Sequence, residues 1–146
     1  MTSVESMARD AGIAEPWILE GGVHWLNPGA MSVRDVASWM NENHARFVTI
    51  TTYELPATEG FRLEYHWDID GQLLGFSFRI PGNSVPSIFD LCEGADWIER
   101  EIHEEYAIDF TGRVCQPLLL REGNALGVNL REAGGAGQAE PQEAAR

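Results

Sequence analysis

The stretch over residues 47–80 limits the fold more than any other part of the chain, because its hydrophobicity changes sign at nearly every residue. Phe61, Leu63, Tyr65 and Trp67 alternate strictly with Arg62, Glu64, His66 and Asp68; beyond Asp70-Gly71, Leu74, Phe76, Phe78 and Ile80 oppose Gly75, Ser77 and Arg79. A period of two sends successive side chains to opposite faces of a strand, so each run has one apolar and one wet face. Asp-Gly is a pair favoured by a two-residue hairpin turn. Residues 47–55 (FVTITTYEL) are rich in β-branched and aromatic types, and together the three runs predict an antiparallel meander of three or more strands.

The apolar face of such a meander needs helices to cover it. After the Asn27-Pro28-Gly29 turn, Ser32 stands three residues before Asp35, a capping arrangement that predicts a helix over 33–43 packing through Val33, Val36, Ala37 and Met40, with Trp39 at the edge of the stripe. A second helix is expected over 97–106. There Asp96 serves as N-cap, Glu99 completes a capping box, and Ile98, Ile102 and Tyr106 form the buried stripe, leaving Glu99, Arg100, His103 and Glu104 to project away and Arg100 to pair with Glu104. Pro86 is placed to open a short helix over 87–91, which Gly94 interrupts. The fold class is therefore α+β, a single domain with helices on one face of the sheet.

Residues 1–15 read as a frayed segment, with a short helix over 4–9 that has little to pack. The domain proper runs over 16–131, its lead-in an extended chain in which Trp17-Ile18-Leu19 and Val23-His24-Trp25-Leu26 flank Gly21-Gly22 and lie over the core, anchored by the tryptophans. The apolar run Pro117-Leu118-Leu119-Leu120 suits a strand or an anchor laid on another protein. Residues 132–146 (EAGGAGQAEPQEAAR) carry too few large apolar groups to offset ordering entropy and read as a disordered tail.

Composition narrows the function classes. Ten Lys+Arg against 23 Asp+Glu give a net charge of −13, and every one of the ten is an arginine. That balance argues against nucleic acid and against adsorption to anionic lipid, both of which need clustered cations. No apolar run approaches the ~20 residues of a membrane span, and the N-terminus has neither a basic head nor an apolar signal core, so the chain is expected to be cytoplasmic with no direct membrane insertion. Cys92 and Cys115 are single and far apart, which leaves iron-sulfur clusters and zinc ribbons without ligands. His103-Glu104-Glu105-Tyr106-Ala107 lacks the second histidine of a zinc-protease helix, and His24, His44, His66 and His103 fall in four different elements. Glu99, Glu101, Glu104 and Glu105 could furnish an acid/base pair, yet no nucleophile accompanies them, and no glycine loop follows a strand. No catalytic residue, metal or cofactor is expected.

The most distinctive segment, residues 85–120, carries a resemblance. Pro86-Ser87-Ile88, Trp97, Glu99-Arg100-Glu101, Tyr106, Ile108, Phe110 and Gly112 resemble the signature of the thirty-kilodalton subunit family of respiratory complex I, the NADH:quinone oxidoreductase, and especially its short relatives in membrane-bound energy-converting nickel-iron hydrogenases. The preceding meander, with Tyr53, Leu55, Tyr65 and Asp70-Gly71, is similar too, so the likeness spans residues 33–120. The chain departs from the family pattern at Glu104 (usually Asp), Ala107 (usually Gly) and Arg113-Val114 (usually His-Pro).

The resemblance implies a non-catalytic, cofactor-free accessory subunit of an oxidoreductase complex, either a complex I-like NADH dehydrogenase or a hydrogenase, that takes part in electron transport. It would sit on the inner face of the membrane through its partners: the large subunit bearing the quinone or nickel-iron site, and an iron-sulfur subunit. Pro86, Ser87, Trp97, Glu99, Arg100, Glu101 and Glu104 are the expected partner-binding residues, because charges on a helix beside a core need a partner. The alternative is a self-standing protein-binding or regulatory module that reuses the fold.

Overall fold

The computed structural model describes residues 4–12 and 17–131; the tail expected over 132–146 lies outside the described residues. In chain order the elements are α1 (Val4–Asp10), β1 (Ile18–Glu20), β2 (Val23–Leu26), α2 (Val33–Glu42), β3 (Arg46–Glu54), β4 (Phe61–Ile69), β5 (Gln72–Ile80), β6 (Ser84–Pro86), α3 (Asp96–Tyr106) and β7 (Asp109–Thr111). A tight turn with Ala57 and Thr58 at positive φ (54° and 63°) covers Pro56–Thr58, and a single 3₁₀ turn covers Glu93–Ala95.

The alternating block forms the meander its pattern predicts. β4 pairs antiparallel with β3 on one side and β5 on the other, in a register that sets Leu63 opposite Phe78, Tyr65 opposite Phe76 and Trp67 opposite Leu74. Asp70 and Gly71 both have positive φ (51° and 80°), the geometry of a turn whose twist matches its strands. Paired residues share a face, so the apolar halves of the three strands add to one surface. Trp67, with no exposed area, lies at its centre, edge-on to Phe47 at 5.7 Å and Phe76 at 5.9 Å and stacked on Tyr65 at 6.0 Å.

Both longer helices cover that face. α2 carries the expected capping box between Ser32 and Asp35 and buries Val33, Val36, Ala37 and Met40, while Trp39 meets Phe76 edge-on at 6.0 Å. α3 lies against β3, and its Tyr106 meets Phe61 at 6.0 Å. Arg34 of α2 reaches across to the turn after β6, donating to both Asp90 oxygens (2.7 and 2.8 Å) and to the Ser87 carbonyl (2.6 Å). That turn is not the helix expected over 87–91. Ser87 N–H continues the β6–β7 ladder to the Thr111 carbonyl at 3.0 Å, so Pro86 ends a strand and a single turn follows, closed by Leu91 and Cys92 N–H on the Ile88 carbonyl.

The described N-terminal residues, 4–12 and 17–26, form a short helix and a hairpin. β1 and β2 form a hairpin around Gly21 and Gly22, and β2 joins β5 in parallel, giving a five-stranded sheet of order β1-β2-β5-β4-β3. Gly75 makes this possible, since a Cβ there would stand 2.6 Å from the Trp25 ring. Parallel pairing leaves no turn signal in the sequence, which is why this segment reads only as extended chain. α1 likewise has something to pack: Val4, Met7 and Ala8 recur at one-turn spacing and all three are buried in the common core.

Candidate functional site

The signature segment builds a compact ionic cluster at the start of α3. Asp96 is the first helical residue and not the cap; Ala95 precedes it and offers no side-chain oxygen, so the expected capping box is absent. Both carboxylates are engaged elsewhere. Asp96 accepts from Arg113 and, at 3.2 Å, from Arg100, and the Arg113 hydrogen bond in particular holds its carboxyl below the usual range. Glu99 is wholly buried: it accepts from Ser87 Oγ at 2.6 Å, Ile88 N–H at 2.8 Å and Arg113 Nη1 at 3.2 Å. Burial nonetheless outweighs those donors and pushes the Glu99 carboxyl above its ordinary value.

Further along α3, Glu104 is buried as well. Its two oxygens accept the backbone N–H groups of Leu118 (2.7 Å), Leu119 (2.9 Å) and Leu120 (3.2 Å). Burial alone would raise its pKa, but these three donors, with Arg100 nearby, turn the net shift downward and keep the group ionised. Residues 117–120 therefore do not form a strand. They curl around a carboxylate, and Arg100 secures the same bend by donating to the carbonyls of Gln116 (2.9 Å) and Pro117 (2.7 Å) rather than pairing with Glu104. Gly127 and Asn129 N–H complete the strap by donating to the carbonyls of Glu104 and Glu105. Replacing Glu104 by alanine strips one ionic acceptor from three amides and is expected to lower stability by about 2 kcal/mol. The diagnostic change is faster hydrogen exchange confined to residues 116–130; unchanged exchange there would refute the mooring role.

The helix ends at Ala107 in the left-handed region (φ 53°, ψ 31°), its N–H bonded to the His103 carbonyl at 3.0 Å. A Cβ is costly in that conformation, where glycine is the favoured residue. Ala107→Gly is expected to raise stability by about 1 kcal/mol, measured as a higher urea midpoint at constant slope; a lower midpoint would contradict the strain.

Of the seven expected partner-binding residues, Ser87, Glu99 and Glu104 are turned inward and serve the fold, and Arg100 is tied to Asp96 and the strap. The inward pair Glu99 and Glu104 displaces Ile98 and Tyr106, which are only half-buried, from the expected buried stripe; Ile102 keeps its place. Pro86 and Trp97 face solvent, and Glu101 is half-exposed. Sequence reading missed Arg113, whose guanidinium lies over Phe89 at 4.6 Å while it bonds Asp96 and Glu99. The scarcity of cations was the available signal: residues 85–120 hold two arginines among eight carboxylates, so the most buried acid had to claim one of them. Around this cluster stand exposed apolar side chains: Phe89 (37%), Trp97 (69%), Val114 (76%) and Leu119 (68%).

Among the described residues no group of three or more His, Cys, Asp and Glu is placed to hold a metal ion, and no helix is long and apolar enough to cross a membrane.

Solved structures share the fold, among them these two. A chain of the membrane-bound sulfane sulfur reductase (MBS), an archaeal respiratory membrane complex, superposes with a TM-score of 0.68 at 21% identity, over 82% of this chain and 76% of that one. The trypsin-resistant fragment (1-134) of Nqo5 superposes with a TM-score of 0.56 at 23% identity, over 79% of this chain and 96% of the fragment. No curated protein sequence matches the chain. The family described as "Respiratory-chain NADH dehydrogenase, 30 Kd subunit" matches residues 29–133, from the turn before α2 to beyond the strap, and the chain belongs to that family of respiratory-complex subunits.

Proposed function

We propose that the chain is a non-catalytic assembly subunit that docks beside the large, quinone-site or nickel-iron subunit of its complex and contacts an iron-sulfur subunit, on the inner face of the membrane. The observation that carries this reading is the division of labour at α3. The buried charges Glu99, Arg113 and Glu104 close on one another and on backbone, which fixes β6, the turn after it and the strap as one rigid surface. Outward they leave Pro86, Phe89, Trp97, Val114 and Leu119. Apolar groups held on a rigid, internally satisfied frame suit a protein interface whose centre is dry and whose rim is wet.

The parent complex is a complex I-like NADH dehydrogenase, an energy-converting hydrogenase, or a relative of the sulfane sulfur reductase whose chain shares the fold. The test is affinity purification of the full chain from native membranes in mild detergent. Recovery with iron-sulfur proteins and a large quinone-site or nickel-iron-type subunit is expected, and the identity of those companions names the complex. Recovery of the chain alone would overturn this reading in favour of a self-standing binding module.

A further inference from the structure

α3 turns one strip toward solvent: Trp97, Glu101 one turn later and Glu105 one turn beyond that. Trp97 is exposed as no other tryptophan of the chain is: Trp67 is in the core, Trp17 and Trp39 pack against it, and Trp25 lies on His66. Among the described residues its indole meets no ring and no guanidinium. Glu101 makes no hydrogen bond or ion pair there either, and its charge acts on Glu105, whose carboxyl is raised first by burial and then by Glu101. Asn129 bonds the Glu105 carboxylate, but neither Arg100 nor Arg113 turns to Glu101: Arg100 is committed to Asp96 and the strap, Arg113 to Asp96 and Glu99.

We infer that Trp97 and Glu101 form a seat for one cationic side chain of the partner subunit, arginine in preference to lysine, lying flat on the indole and bonding the Glu101 carboxylate at its edge. This rests on the docking reading above and adds the chemistry of what docks. Residues one turn apart have Cβ atoms about 5–6 Å from each other, a span one guanidinium can bridge. The chain makes the same aromatic-plus-carboxylate arrangement twice within itself: Arg113 lies over Phe89 at 4.6 Å while bonded to Asp96 and Glu99, and Arg62 over Tyr53 at 4.7 Å while 3.3 Å from Glu64. At Trp97 the ring and the acid are present, and among the described residues no cation lies on them. The planar guanidinium suits this seat better than an ammonium because it stacks and bonds simultaneously, and a chain of net charge −13 draws a basic partner surface toward it.

The experiment uses the native complex carrying the full chain as wild type, Trp97→Ala, Trp97→Phe, Glu101→Gln or Glu101→Arg, and follows the fraction of chain retained through a salt gradient. Trp97→Ala and Glu101→Arg are each expected to cut retention at least tenfold, Glu101→Gln to flatten the salt dependence, and Trp97→Phe to fall between. Each free variant should unfold at the wild-type urea concentration, because both side chains face solvent. A photoreactive benzoylphenylalanine at position 97 should capture a partner peptide containing arginine or lysine. Loss of retention with Trp97→Ala but not with Glu101→Arg, or capture of a peptide without a basic residue, would overturn the cation seat and leave the docking reading standing. Retention unchanged by every α3 substitution, in a complex that does form, would overturn the seat and move docking to another face.

Discussion

Replacing Glu99 by alanine is expected to destabilise the chain by about 3–5 kcal/mol, the range for breaking a buried ion pair from one side. The substitution takes an acceptor from Arg113 Nη1, the Ile88 N–H and the Ser87 hydroxyl, leaving Arg113 only its bond to Asp96, and opens a cavity where a wholly buried side chain had been. A urea denaturation midpoint reads the effect. Glu99→Gln keeps the shape and one acceptor oxygen and should cost about 1–2 kcal/mol. The double change Glu99→Met with Arg113→Met should be milder than Glu99→Ala, since removing both charges leaves neither unpaired; a double variant as damaged as the sum of its parts would refute the pairing. The pH dependence has a definite sign. Burial raises the folded pKa of Glu99 above its unfolded value, so the folded state holds that proton more tightly and Glu99's contribution falls as pH rises above about 4.3, the ordinary glutamate value. Glu104 and Asp96, with lowered pKa values, contribute stability that is present above their unfolded pKa and lost as pH falls through the folded one. Glu99→Gln therefore removes one contribution of the first kind while those of Glu104 and Asp96 remain, and its stability should climb more steeply with pH than that of the parent.

Trp67→Ala should be comparably severe, about 3–5 kcal/mol, for a different reason. Trp67 has no exposed area and its ring touches Phe47, Tyr65 and Phe76, so truncation empties the middle of the aromatic layer between the sheet and its helices. Thermal unfolding should report a large fall in midpoint and, at permissive temperature, weakened near-ultraviolet circular dichroism from lost aromatic packing. A fall of under about 1 kcal/mol would mean that the layer closes over the gap, contrary to the close packing of protein interiors.

These two side chains mark how far the sequence was readable. Trp67 sits in a strict alternation beside a glycine turn, and local periodicity sufficed to place it, its strand and the pairing on both sides. Glu99 sits in a helix whose period was equally clear, yet the period assigned the wrong face. Hydropathy puts a glutamate outward, and only the third dimension brings Ser87, Ile88 and Arg113 close enough to make an inward carboxylate tolerable. Glu104 repeats the lesson with backbone amides as its partners, groups that no side-chain pattern reveals. The family signature was legible as residue types in order. It did not distinguish the members that build the surface from those that are left on it, a distinction set by burial.

The parallel joint between β2 and β5 bears on synthesis as well as on shape. Val23 pairs with Leu73, fifty positions later, so at about 5–20 residues per second the N-terminal hairpin leaves the ribosome some 3–10 seconds before its sheet neighbour exists. Through that interval Trp25 and Leu26 have no sheet to lie on, whereas β4 and β5 follow each other through a two-residue turn and can zip at once. The first part of the sheet to be made is thus the last to be joined, and pulse-labelled hydrogen exchange should find protection in β4 and β5 ahead of β1 and β2. Nascent chains arrested before Leu73 should hold the hairpin open to chaperones, making the early N-terminus, rather than the docking surface, the vulnerable point in the life of the subunit.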